Sequence, residues 1–419
     1  MAEKFYAKSA GNEGYIKNME VIAYHDADNH YLFQSQLYKT ADGRYYLYGG
    51  CFFGYGVEII DVTDPAKPRH VQYMPVMDPE EYPYMSTPKI QICDDLMIVS
   101  NGNCLEFLHG PAPENYKPAP GGVHIFSLKE DPENPKFLGY WDCGVPHSIG
   151  VHRFMYNGGP YCYLSCEHDR MEGMIVRVVD ISDPANPKEV GNWWSPEQFV
   201  DGYPGRTVDH HAAHVPSFMD KGWMHGPPFR RDDGIMFCGY CGDGLYVLDA
   251  TDVTRIKCLG NLKLQPTFSS RLAGARTHTA LPLPGRDLCV VTNEGERFQF
   301  FPPGSIEDAQ AMNNIHLVDV RDPSNPVLIA EFPYPEVPEN FPFRNFNEAY
   351  LGVQGPFGPH NIHEPMPGKE GIEKRGDRVY CCYFGAGLRV YDVSDPYYVK
   401  EIGYFIPPNP ANEKHPFLP

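Results

Sequence analysis

One element recurs six times along this chain and limits its fold more than anything else in it. An apolar strand runs into an Asp-led turn, usually Asp-Pro-x-x-Pro, and a second strand leaves the turn. The copies begin VEIIDVTDPAKP at Val57, VHIFSLKEDPENP at Val123, VRVVDISDPANP at Val176, LYVLDATDV at Leu245, IHLVDVRDPSNP at Ile315 and LRVYDVSDP at Leu388. The turn aspartates fall at Asp64, Asp131, Asp183, Asp252, Asp322 and Asp395, between 52 and 73 residues apart. The β-branched runs favour strands. Asp can cap the backbone N–H groups that follow it, Pro fixes φ, and the second Pro stops further pairing. Two more strands precede each copy, as at 148–154 and 161–166 in the third. Four antiparallel strands per repeat make a propeller blade.

The expected fold is therefore all-β: one closed propeller of six blades, seven being the alternative, formed by residues 1–419 as a single domain. The segment 19–24 reads as an extra outer strand that closes the ring on the last blade. Long insertions at 196–208, 218–233, 263–275, 299–312 and 334–357 read as loops across one face. The 40 Gly and 42 Pro of the 419 residues suit such a turn-rich chain.

These repeats resemble the LVIVD-repeat β-propeller family, on Val57–Pro68, Val123–Pro135, Val176–Pro187, Ile315–Pro326 and Leu388–Pro396. The resemblance implies the fold and leaves the activity open, because function sits in sites grafted on such scaffolds.

Aligning the innermost strands brings out histidines. His147, His211, His278 and His360 open the inner strands of blades three to six at one register. Blades one and two carry Gln34-Ser35-Gln36 and Lys89-Ile90-Gln91 there. Inner strands of a propeller converge on its axis, so four imidazoles at one level can meet around one transition ion, as suits Fe, Zn or Cu. His152, His210, His214 and His363 stand nearby. Glu167 and Glu294 share a register one strand further out. With Glu364 they are candidates to hold the outer N–H groups of the ligand histidines. This arrangement resembles the axial four-His iron centre of carotenoid-cleavage-type propellers, as a likeness of site alone.

The function expected is a metal-dependent enzyme acting on a small organic substrate at the axis. Four neutral ligands leave the ion its full charge, which tips the expectation toward non-haem iron oxidation. Metal-assisted lyase, hydratase or hydrolase chemistry is the first alternative, and a non-enzymatic interaction propeller the second. Iron is the favoured ion, with Zn, Cu or Mn in reserve. His214 and His363 are placed to move protons, and Arg276 to clamp an anionic group. The aromatic stretches Trp223-Met224-His225 and 341–346 would roof the channel or anchor loops.

Other signals point away from competing classes. The net charge of −19 repels phosphate backbones, so nucleic acid is not an expected partner. No apolar run is long enough to cross a membrane and no secretory leader is seen, so the chain is expected in the cytoplasm. A homo-oligomer is compatible with the sequence. The Gly-x-Gly pieces lack a following helix, so no nucleotide cofactor is expected. Cys238-Gly239-Tyr240-Cys241 lies in a strand and reads as core. There is no GxSxG elbow.

Overall fold

The computed structural model describes residues 14–52, 54–83, 85–103, 117, 120–145, 150–199, 223–264, 277–294, 315–341, 344–346 and 357–408. The repeats fold as anticipated: six antiparallel sheets form the six blades of a β-propeller. The helical elements among the described residues are three-residue 3-10 turns, and none of them is long and apolar enough to cross a membrane.

Blade three shows the plan. Val151–Met155 is innermost, followed by Tyr161–Glu167, Met174–Asp180 and Lys188–Trp193. The turn aspartates act as their chemistry requires. Each carboxylate accepts the backbone N–H two residues on, at 2.9–3.2 Å, in all six copies. The degenerate copy at Asp252 thus makes the same turn without proline.

Five buried apolar clusters bridge consecutive blades, from one–two through five–six, the last also taking in Met155 and Phe229 from the inner strands of blades three and four. The remaining seam, six to one, is joined differently. Tyr15–Lys17 adds an outer strand to blade six by pairing with Lys400–Ile406. The closing strand is thus 15–17 rather than 19–24, whose residues Ile22 and Tyr24 are exposed.

The second residue of each repeat motif forms an unplanned series: Glu58, His124, Arg177, Tyr246, His316 and Arg389. All are buried except half-buried Tyr246. Four of them face titratable groups on the return strands. Arg177 meets Glu189, Arg389 meets Glu401 at 3.1 Å, Glu58 meets His70 at 2.9 Å, and His316 lies 3.6 Å from Glu331. Buried polar groups need partners, and the hydrogen-bonded pairs of Arg177, Arg389 and Glu58 tie the third strand to the fourth.

Two insertions differ from expectation. Within 218–233, Trp223–Met224 and Phe229–Arg230 pair with Ile235–Cys241 and form the innermost strand of blade four. Within 334–357, Phe346 and Phe357 are buried in the cluster of blades five and six, with Phe341 packed against it. They anchor that loop instead of roofing a channel. The CxxC pair lies on the second strand of blade four, both cysteines are buried, and burial pushes the Cys238 thiol well above its ordinary range.

Candidate metal centre

The inner strands reach the axis through a shared irregularity. In blade three Val151 pairs with Cys166 and Arg153 with Ser165, leaving His152 as an extra residue. In blade five Thr277 pairs with Asn293 and Thr279 with Thr292, leaving His278. In blade one Phe33 is the extra residue between Leu32 and Gln34. Bulges of this kind re-aim a side chain and gather next to functional sites. Blade six slips at the same level, but differently. His360 N–H donates to the Cys382 carbonyl and Ile362 bridges Cys381, so Asn361 is the extra residue there. His360 therefore sits one position before His278 in register, and equal register is not what brings their rings together.

They nevertheless meet, with ring centroids 4.5 Å apart. A third imidazole joins them. His225, whose N–H donates to the Gly239 carbonyl from the inner edge of blade four, stands 4.4 Å from His278, edge to face. His152 stacks on the other side of His225 at 4.7 Å. Glu294 follows the second strand of blade five and lies between two rings, Oε2 at 3.1 Å from His225 Nδ1 and Oε1 at 3.1 Å from His360 Nε2. Donor atoms of His225, His278 and Glu294 all lie within 4.8 Å of one another, and all three residues are buried. Donors around one ion at bond lengths near 2.0–2.2 Å stand roughly 3–4 Å apart, so this set could hold an ion after small side-chain adjustments.

Local chemistry prepares these groups. His278 Nδ1 is 2.6 Å from Thr279 Oγ1. Because the donor-only Arg153 guanidinium meets Nε2, the N–H lies on Nδ1 and is held by Thr279, with the Nε2 lone pair turned inward. Burial drives His278 and His152 well below the ordinary histidine range, which keeps both neutral, as metal ligation requires. Arg153, also buried, donates from Nη2 to His278 Nε2 at 3.1 Å and to His360 Nε2 at 2.9 Å. Its guanidinium lies over Phe33 at 5.3 Å, on the same ring that Lys89 Nζ approaches at 4.9 Å.

Of the four histidines chosen from sequence, the structure brings His278 and His360 together. His147 and His211 lie outside the described residues, as do His214 and Arg276. Of the glutamates, Glu294 reaches the imidazoles. Glu167 occupies the equivalent register on blade three, where its carbonyl accepts from Arg177 Nη1 at 2.7 Å. Glu364 is turned elsewhere. Its carboxylate takes hydrogen bonds from Gln34 at 3.3 Å and Gln91 at 2.8 Å. His363 packs on Tyr380, accepts that residue's N–H at Nδ1, and is pushed down to about 4 by burial. Such a group is a poor proton carrier near pH 7.

Sequence reading missed His225 and Arg153. An alignment of blade four on His210–His214 leaves His225 in a loop. Spacing from the repeat motif could have found it: His225 precedes Leu245 by 20 residues and His152 precedes Val176 by 24, whereas His211 precedes Leu245 by 34. Arg153 had a signal too, as a cation inside an inner strand that is apolar apart from His152.

Comparison with known proteins agrees with the fold. A family described as the LVIVD repeat matches residues 173–194. No curated protein matches by sequence. Among solved structures, the chain is similar to the periplasmic gluconolactonase of Pseudomonas aeruginosa, with 11% identity over 86% of this chain and 82% of that one and a TM-score of 0.54. A putative 6-phosphogluconolactonase from Bacteroides uniformis gives 9% identity over 89% and 86%, with a TM-score of 0.52. A second from Bacteroides fragilis gives 11% over 89% and 81%, with a TM-score of 0.50. Identities this low speak to the propeller fold.

Proposed function

We propose that this chain is a metal-dependent hydrolase that acts on a small organic ester or lactone at the propeller axis. The convergence of His225, His278 and Glu294 carries the reading. Two imidazoles and one carboxylate form the donor set of catalytic zinc centres, which keep a position open for water or substrate. A bound divalent ion would polarise an ester carbonyl and lower the pKa of a water molecule beside it. The chain's own groups do the rest. Thr279 orients His278, His152 aligns His225 by stacking, and Glu294 bridges toward His360. His360 Nε2, next to that carboxylate, is the group placed to take and return a proton.

The expectation of iron oxidation rested on four neutral ligands. A carboxylate among the donors lowers the net charge of the centre and removes that ground. The gluconolactonases among the fold neighbours are in keeping with hydrolysis, although the reading rests on the donor set. The partner proposed is a small molecule, and the acidic charge argues against nucleic acid.

The test is metal analysis of protein purified without chelator, together with turnover on a panel of lactones and esters. One equivalent of zinc or manganese with hydrolysis supports the reading. His278→Ala should lose both the metal and at least about 10²-fold in turnover. Stoichiometric iron with substrate-dependent O2 uptake and no hydrolysis would overturn it, since two His and one carboxylate also serve Fe(II) oxygenases.

A further inference from the structure

We propose that Arg153 is a resident cation of the axial site, one that competes with a metal ion for the His278 Nε2 lone pair and must be displaced when the ion binds. The inference rests on the metal reading above and adds a residue that sets how tightly the site is loaded.

The argument starts from donors and acceptors. A guanidinium has five N–H donors and no acceptor. Arg153 Nη2 stands 3.1 Å from His278 Nε2 and 2.9 Å from His360 Nε2, so each of those nitrogens offers it a lone pair. For His278 this leaves the N–H on Nδ1, where it donates to Thr279 Oγ1 at 2.6 Å. For His360, Nε2 is also 3.1 Å from Glu294 Oε1. A lone pair facing a carboxylate oxygen in a buried place is costly unless positive charge stands beside them. Arg153 supplies that charge.

A transition ion held by His225, His278 and Glu294 needs the His278 Nε2 pair, at about 2.0–2.1 Å from the nitrogen. One lone pair on Nε2 cannot serve both cations. Because the guanidinium stays protonated throughout the working pH range, acid or base does not relieve the competition. Arg153 is also well placed to leave. It stands on the rigid inner strand of blade three, directly after the His152 bulge, and its guanidinium rests on the Phe33 ring. A turn about its outer torsions would lift Nη2 from the imidazoles while the Phe33 contact holds the group at the axis.

Removing this competitor should therefore tighten metal binding, the opposite of what loss of a structural support would do. Calorimetric titration of the full chain with Zn²⁺ alone, and with Co²⁺ followed by its visible d–d bands, reads this without any substrate. Arg153→Met, shown to be folded by a cooperative melt, should bind Zn²⁺ about tenfold more tightly than the parent, the worth of a charge-assisted hydrogen-bond pair. Arg153→Lys, which keeps the charge and loses the planar fork, should fall between the two. If Arg153→Met does not fold, Arg153→Lys carries the test alone. Unchanged or weaker Zn²⁺ binding in the folded variants, with a parent that does bind, would overturn the role of Arg153 and leave the metal reading standing. Absence of Zn²⁺ and Co²⁺ binding in parent and variants alike would overturn the metal reading and this inference with it. Binding in Arg153→Met but not in the parent would be the strongest form of support.

Discussion

The two halves of the propeller axis are built from equivalent strands and filled with opposite chemistry. On one side, blades six, one and two contribute Glu364, Gln34, Gln91 and Lys369. Here the groups satisfy one another in sequence. The Ile90 N–H donates to Gln34 Oε1, Gln34 and Gln91 donate to the two oxygens of Glu364, and Lys369 donates to Gln91 Oε1. On the other side, blades three to six contribute His152, His225, His278, His360 and Glu294, a collection dominated by acceptors, with Arg153 as the cation among them. A closed set of donors and acceptors is what stability asks of buried polar groups. A set of lone pairs aimed at one place is what a cation asks for.

That contrast can be broken by two charge-neutralising substitutions, one in each half. Glu294→Gln should reduce bound metal to a small fraction and turnover by about 10³-fold, a loss of metal that the other half does not show. Glu364→Gln should do the reverse, keeping metal and costing about 3 kcal/mol of stability, because Lys369 remains buried with its counter-charge gone. Lys369→Met alone should cost a similar amount, and the double variant clearly less than the sum. Metal content and denaturant melts on the four proteins decide the matter. A Glu364→Gln protein that melts normally and loses its metal would erase the distinction between the halves.

Much of this was legible from residue patterns, and the limits have physical causes. The six turn motifs specified the blades because Asp caps and Pro restrictions act locally and need no tertiary context. His278, His360 and Glu294 are legible as axial residues because inner strands converge whatever lies between them, but not their roles: the sequence suggests His360 as a ligand and Glu294 as a support, and the geometry puts Glu294 in the close donor group. The reading failed where an insertion shifted the inner strand, as in blade four, since periodicity cannot tell which of two histidine-bearing segments will pair with Ile235–Cys241. It also failed with Glu364. A carboxylate one residue from a histidine looks like a support for an imidazole until folding shows that Gln34 and Gln91 from other blades claim it. Arg153 escaped because charge on an inner strand was weighed only at histidines.

The halves should also separate by pH. Lys369 is pushed down to about 8 by burial. Its unfolded pKa is near 10.4, so between these values the unfolded chain binds the proton and the folded chain does not. Stability should accordingly rise as pH climbs from about 8 toward 10. The imidazole half responds in acid. His278 and His152 lie well below 6.5 in the folded chain, so stability is complete above that pH and is lost as pH falls through it. Each such group contributes a slope of about 1.4 kcal/mol per pH unit. His124 and His316, pushed down to about 4, add to the acid limb until that pH is reached. Denaturant titrations from pH 4 to 10 should show Lys369→Met flattening the alkaline limb and leaving the acid limb intact. An alkaline limb untouched by that substitution would mean that Lys369 does not titrate in this window.

The smallest effect sharpens the edge of the metal centre. His152 stacks on His225 with ring planes 12° apart and its own ring driven neutral, so it can be either a further donor or a flat support. The geometry favours support, because His225, His278 and Glu294 form the close donor group and His152 lies behind His225. A phenyl ring can replace a supporting imidazole, keeping the stacked face and losing only the nitrogens. His152→Phe should then retain full metal occupancy and lower turnover by no more than about threefold, a change worth under 1 kcal/mol in the barrier. The measurement is metal content and kcat/KM of the purified variant beside the Glu294→Gln protein. If His152→Phe loses metal as completely as Glu294→Gln does, His152 is a ligand, the donor group extends onto the inner strand of blade three, and Arg153, its neighbour in sequence, is anchored at the edge of the coordination sphere itself.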